Sequence, residues 1–507
     1  MPYLLGIDIG TSGTKTILID PTGSVTAKST IEYPLYSPQP LWSEQDPEDW
    51  WNATVGTIRS CLTQSGVRAV EVVGIGLSGQ MHGAVFVDGN GNPLRRAILW
   101  NDQRTQSQCD WITNRIGADK VAEYTCNPVL TGFQAPKIVW LRENEPEVYA
   151  KVKRVLLPKD FIRYRLTGEY ATEVSDASGT SLFDVKNRKW SAEMLVGCDI
   201  PASWMAESFE SVEVSGKVNA TAAGLTGLKS GTPVVGGGGD QAAGAVGNGI
   251  VETGILSNSL GTSGVVFAFS DTPRVDVALR LHTFCHAVPG KWHLMGVMLS
   301  AGGSLQWYRD AFGQPEKVVA GALGVDPYQI LCDEAATAPA GSEGLVFLPY
   351  LTGERAPHPD PYARGAFVGI TRRHTRAHFA RAILEGVSFG LKDSLSVMQE
   401  MGLPISEVRA SGGGARSGLW RQILADTSGV KHVTVNIDEG PALGVALLAG
   451  VGAGVYPSVE DACRSVIRVV DETAVNTTAN DKYQPTYNVY RSLYPALKSA
   501  FHDLSSL

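Results

Sequence analysis

Two stretches decide the fold: Asp8-Ile9-Gly10-Thr11-Ser12-Gly13-Thr14-Lys15 near the start, and Ser259-Leu260-Gly261-Thr262-Ser263-Gly264 half a chain later. The first lies between apolar runs at 3–7 and 16–19, and the second runs into Val265-Val266-Phe267. Each reads as a strand, a tight turn and a returning strand. Glycines let backbone N–H groups approach an anion, and Thr and Ser hydroxyls add short donors, so such a turn can cradle phosphate oxygens. One copy is a weak signal. Two copies predict two half-molecules that clamp one polyphosphate between them.

The bulk numbers agree with two halves. The chain has 507 residues, 43% of them hydrophobic, and single cores rarely grow past about 250–300 residues. A domain boundary is expected near 246–255, giving units 1–246 and 247–507. The net charge of −8, without a Lys/Arg-rich block, argues against nucleic-acid or anionic-membrane partners. No stretch approaches the roughly 20 apolar residues of a membrane span, and no secretory leader pattern is visible. Seven scattered cysteines without a Cys-x-x-Cys pair point away from disulfides and zinc, towards a reducing, cytoplasmic setting.

Along the chain, strands are expected at 3–7, 16–19, 70–77 and 84–87. Asp46-Pro47-Glu48-Asp49 reads as an N-cap and first turn of a helix running to about Cys61. Residues 118–155 read as mostly helical, and a further helix should run from Pro158 to about Thr167. A short buried strand at 233–235 enters Gly236-Gly237-Gly238-Gly239-Asp240, with a small-residue helix following at 241–248.

Asp8 ends a strand at the first turn, a position suited to holding Mg²⁺ near phosphates through water; bracing the turn is the simpler alternative. Lys15 either reaches a phosphate oxygen or is an exposed strand lysine. Asp240 follows four glycines. It either caps the next helix or accepts the proton of an attacking hydroxyl, and the glycine run favours the second. Gly412-Gly413-Gly414-Ala415-Arg416-Ser417, between a strand and a helix, can admit a nucleotide base or ribose. Ala301-Gly302-Gly303 before a helical run is a smaller relative. Ser78-Gly79-Gln80-Met81-His82-Gly83 forms a loop whose His can hydrogen-bond a sugar hydroxyl. His282, Cys285 and His286 lack the partners of a metal site.

Taken together these residues resemble the FGGY family of carbohydrate kinases, over essentially the whole chain. Gly365-x-Phe367-x-Gly369-Ile370, seven further residues and His378-Phe379-x-x-Ala382-Ile383-Leu384-Glu385 fit one family signature throughout. Lys137-Ile138-x-Trp140-Leu141-x-Glu143-Asn144 fits the other, which departs only at Gln134, where a small residue is usual. The resemblance implies an α/β fold of two actin-like (ribonuclease H-like) ATPase domains with a catalytic cleft between them. It implies ATP and Mg²⁺ as co-substrate and metal, and a small-molecule sugar as substrate. It leaves a homodimer open.

Roles follow by the same resemblance. Asp240 would be the general base, Gln241 a polyol contact and Asp8 the residue nearest Mg²⁺. Thr11, Ser12 and Lys15 would meet phosphates from one side, Gly261 and Thr262 from the other. Gly302, Gln306, Gly413 and Ser417 would lie along the nucleotide. Glycerol-phosphorylating relatives carry an Arg and a Glu in the places of Met81 and His82; the Met-His pair resembles members that phosphorylate D-xylulose, with gluconate as the alternative. For gluconate, Arg104 would be the carboxylate partner. Because phosphoryl transfer has a loose transition state, an Asp of ordinary pKa near roughly 4 is expected to suffice as proton acceptor. An acceptor-independent ATPase and a non-catalytic sugar-binding regulator are the competing classes.

Overall fold

The computed structural model describes residues 1–505. Its two large sheets repeat one topology. In the first, Tyr3–Ile9, Gly13–Ile19 and Val25–Glu32 form an antiparallel meander, and Val72–Gly79 then Pro233–Val235 add in parallel on the other side of Tyr3–Ile9. In the second, Gly254–Leu260, Gly264–Ser270 and Trp292–Met298 are the meander, and Ile405–Ser411 then His432–Val435 are the parallel additions. The two Gly-Thr-Ser turns are therefore the same turn, the first hairpin of each sheet. This is a two-domain α/β fold.

Local chemistry explains most boundaries. Asp46 accepts from the Glu48 amide as N-cap of the helix Pro47–Ser65, and Gly66 ends it in a left-handed conformation. The helix thus runs a turn past Cys61, to the first residue able to stop it. The span 118–155 is more broken than expected. Ala118–Thr125 and Gln134–Asn144 are helical, separated by a loop containing Asn127-Pro128, and Arg154–Leu156 is a strand paired with Val85–Val87. The small-residue helix is Asp240–Gly247.

The halves are locked by one late element. The helix Pro441–Gly452, far into the second half, packs on Asp240–Gly247 and against the strands Tyr3–Ile9 and Val72–Gly79. The contact is backbone on backbone. A Cβ on Gly76 would lie 1.9 Å from the Val445 carbonyl oxygen, and one on Gly444 would lie 1.8 Å from that of Ala243. One buried apolar cluster accordingly mixes Leu4, Ile17 and Ile19 with Leu443, Leu447 and Val466.

Gly76→Ala is expected to destabilise the protein by about 1–3 kcal/mol, the usual cost of overpacking. Gly321→Ala, on a helix with open space around the new methyl, is expected to be neutral or to stabilise by up to about 1 kcal/mol. Denaturant unfolding of the two variants checks both signs.

Candidate active site

The first sheet places its two key carboxylates side by side. Tyr3–Ile9, Val72–Gly79 and the two-residue strand Gly238–Gly239 run parallel, with Asp8 and Gly238 both opposite Ser78. Asp8 and Asp240 thus sit at the carboxyl ends of two strands that flank Val72–Gly79 on either side, where open α/β sheets present their ligands. Gly239, not Asp240, occupies the N-cap position of the following helix, so capping is not what Asp240 does there. Ser175 Oγ accepts the Gly239 amide at 3.1 Å and fixes the approach to Asp240.

Both carboxylates are half-buried. Burial raises Asp8 to about 6, with Ser78 and Lys15 opposing. Burial, and then the charge of Asp8, raise Asp240 to about 7. The expected ordinary value near 4 is thereby corrected: two like charges share one low-dielectric corner. Asp8 Oδ1 is buried without a hydrogen-bond partner, which fits an acid awaiting a hydrated cation. Among the described residues no group of three or more His, Cys, Asp or Glu could hold a metal. A magnesium ion that takes its other ligands from phosphates and water needs no such group.

The first turn is held by a buried polar network. Thr11 Oγ1 donates to Gln80 Oε1 at 3.2 Å and accepts from Trp100 Nε1 at 3.0 Å. Gln45 Nε2 donates to the Thr11 carbonyl at 2.7 Å, and Gln80 Nε2 donates to Gln45 Oε1 at 2.8 Å. Ser12 stands exposed at the tip. Lys15 is not free to seek a phosphate: it is ion-paired with Glu439, two residues before the locking helix. Trp100 and Gln45 carry no sequence signal of this role, since hydrogen-bonding across 89 and 34 residues leaves no local pattern.

Met81 and His82 belong to the loop that packs beside Gly239. A Cβ on Gly239 would come within 2.9 Å of Met81 Cγ, so Met81 packs directly beside Asp240. His82 has a positive φ of 68° and stacks on Phe133, ring centroids 4.6 Å apart. Its Nδ1 lies 2.7 Å from the Gly179 carbonyl, so Nδ1 carries the proton. Burial pushes its pKa well below the ordinary value, leaving a neutral ring whose Nε2 can accept from a hydroxyl. Lys137 Nζ donates to the carbonyls of His82 at 2.8 Å and Gly132 at 2.6 Å. Gln134, the departure from the family signature, donates to the Gly83 carbonyl at 2.9 Å and pins the same loop. Gln241 follows Asp240 in the first turn of its helix.

Arg104 is already committed. It makes a two-pronged bond to Asp102, pairs with Glu44 at 2.8 Å and stacks on Trp42 at 3.6 Å. No carboxylate substrate can use it without dismantling this arrangement.

In the second half, Gly261, Thr262, Gly302, Gln306, Gly413 and Ser417 line one cavity of about 390 Å³, together with Tyr328, Gln329 and Trp420. The Gly302 amide donates to the Gly261 carbonyl at 2.8 Å, docking a helix start on the second turn. Ser417 Oγ accepts the Trp420 amide at 3.3 Å as a helix cap. Tyr328 and Gln329 come from a helix with no glycine motif, which is why the sequence does not flag them. His282 and His286 are buried near phenylalanine rings and pushed down to about 3.

The N-terminal domain of the FGGY family of carbohydrate kinases matches residues 3–247, and its C-terminal domain matches residues 256–453. The chain belongs to the FGGY family of carbohydrate kinases. This FGGY chain is 41% identical to the xylulose kinase of Escherichia coli strain K12 over 97% of its own length and 99% of the relative's. It is 32% identical to the gluconokinase of Bacillus subtilis strain 168 over 97% and 94%. The solved xylulose kinase of Rhodospirillum rubrum superposes with a TM-score of 0.91 at 30% identity, covering 99% of this chain and 100% of that one.

Asp240 has a folded-state pKa above its ordinary 3.8, so protonation favours the folded state. That contribution is complete below about 4 and is lost as pH rises towards 7. Asp240→Asn removes the ionisation, and the melting temperature of the variant relative to wild type should rise between pH 5 and pH 8. A difference that is flat across this range would contradict the raised pKa.

Proposed function

We propose that this kinase transfers the γ-phosphoryl group of ATP to the terminal hydroxyl of D-xylulose, giving ADP and D-xylulose 5-phosphate. The observation that carries the reading is the seat of Asp240, beside Met81 on one side and Asp8 on the other. The names and near-complete overlap of the relatives support the sugar. The engagement of Arg104 with Asp102 and Glu44 counts against a gluconate reading built on that residue.

In this mechanism the sugar hydroxyl lies at Asp240, with Gln241 and His82 orienting its neighbours. Asp240 accepts the hydroxyl proton as the bond to phosphorus forms, and a carboxylate titrating near neutrality holds that proton well at physiological pH. Thr11 and Ser12 face the phosphates from the first turn, Gly261 and Thr262 from the second, and the base and ribose occupy the cavity of Gly302, Gln306, Gly413 and Ser417. Mg²⁺, when bound beside Asp8, supplies positive charge to the phosphate oxygens. Lys15, held by Glu439, acts by fixing the strand behind the turn. Catalysis is then mainly positioning and charge stabilisation.

We read each sheet as a ribonuclease H-like unit, on the repeated order of three antiparallel and two parallel strands, with the unit boundary at 246/247. Seven unpaired cysteines suit a cytoplasmic location, and no helix among the described residues is long and apolar enough to cross a membrane.

ADP release with Mg-ATP, measured against D-xylulose, D-ribulose, L-ribulose, glycerol and gluconate, tests the reading. A selective kcat/KM for D-xylulose is expected; stimulation by gluconate alone, or by no acceptor, would overturn it. Asp240→Ala should keep the fold and lose on the order of 10²–10⁴-fold in turnover.

A further inference from the structure

Arg355 belongs to the second half of the chain yet reaches into the first. A Cβ on Gly132 would lie 3.2 Å from Arg355 Nη2 and 2.6 Å from the Trp100 carbonyl oxygen. The charge of Arg355 also bears on His82, Lys137 and His282. Its backbone is clamped. The Arg355 amide donates to Glu354 Oε1 at 2.7 Å, the same oxygen accepts the Leu299 amide at 3.0 Å, and the Ala356 amide donates to the Val297 carbonyl at 3.0 Å. The loop closes through reciprocal backbone bonds between Glu354 and Asp360 at 2.9 and 3.0 Å. The side chain is therefore aimed from a fixed base.

Its guanidinium makes no hydrogen bond or ion pair with any described residue. Glu354 Oε1 is occupied by two backbone amides. Lys137 Nζ is committed as a donor to two carbonyls. An arginine offers five N–H donors, and leaving them unmade in a partly desolvated cleft is costly. A relay of contacts links it to Asp240. Asp240 follows Gly239, Gly239 packs on Met81, Met81 precedes His82, His82 stacks on Phe133, and Gly132 touches Arg355. Arg355 is therefore joined to Asp240 through the Met81–His82 loop and Phe133, with its charge bearing on His82.

Building on the kinase reading, we propose that Arg355 donates hydrogen bonds to the oxygen atoms at the far end of the sugar, the carbonyl end of a ketose. The bound acceptor then touches both halves, with its reacting hydroxyl at Asp240 and its other end on a residue of the second sheet's loop. The planar fork suits two neighbouring oxygens, so an aldonate carboxylate presents the same chemistry and serves as the second arm of the test.

The test compares wild type, Arg355→Met and Arg355→Lys as full chains. Kinetics on D-xylulose and on gluconate are combined with calorimetric sugar binding, ATP affinity and thermal unfolding. Arg355→Met should raise the D-xylulose KM and Kd by roughly 10- to 100-fold, with ATP affinity and melting temperature unchanged and partial recovery in Arg355→Lys. Any gluconate turnover by the wild type should fall in parallel. Unchanged sugar KM and Kd, or a loss confined to kcat, would overturn the role. If the wild type forms no sugar-dependent ADP, the kinase reading fails by itself. Arg355 is then judged by binding alone: sugar bound by wild type and lost in Arg355→Met supports the assignment, and no sugar bound by wild type overturns it.

Discussion

Everything in the site depends on a helix and a sheet meeting without side chains between them. Pro441–Gly452 lies so close to Tyr3–Ile9 and Val72–Gly79 that a methyl group on Gly76 would overlap the Val445 carbonyl. The same helix presses on Asp240–Gly247, where Gly444 meets the Ala243 carbonyl. Close-packed interiors transmit displacement rather than absorb it. The helix bearing Asp240 and the strand bearing Asp8 are therefore referenced to one rigid element, which belongs by sequence to the other half. The Lys15–Glu439 pair extends this tie to the first turn.

Within that frame the electrostatics are asymmetric. The corner of Asp8 and Asp240 holds two carboxylates raised towards neutrality, a place that attracts a cation and keeps a proton. The region around His82 is the opposite, with Lys137 and Arg355 facing rings that burial holds neutral. The cavity at the second turn draws on neither field: backbone, Gln306, Tyr328 and Trp420 line it, beside the charged Arg416 and Asp326 at its walls.

Much of this was legible in the residues. The paired Gly-Thr-Ser turns announce the repeated hairpin because a three-residue reversal between strands demands small, donor-rich residues locally. The glycine run before Asp240 and the run at 412–414 are likewise local demands of close backbone approach. The break in the helical reading of 118–155 was not legible, because Arg154–Leu156 becomes a strand only by pairing with Val85–Val87, some 70 residues earlier. Arg104 misled for a similar reason. Its type suits a carboxylate, and only the fold shows that Asp102 and Glu44 already supply two.

By itself the sequence determined the α/β class, the duplication, the family and the short-range motifs, since each rests on spacing within a few turns of chain or on patterns shared across a whole family. The tertiary structure decided which of those residues are available. It committed Arg104 and Lys15 to ion pairs, seated His82 as a neutral acceptor, raised Asp8 and Asp240 by burying them together, and left the guanidinium of Arg355 unpaired. Availability, protonation and direction are properties of surroundings, and surroundings are assembled from segments hundreds of residues apart.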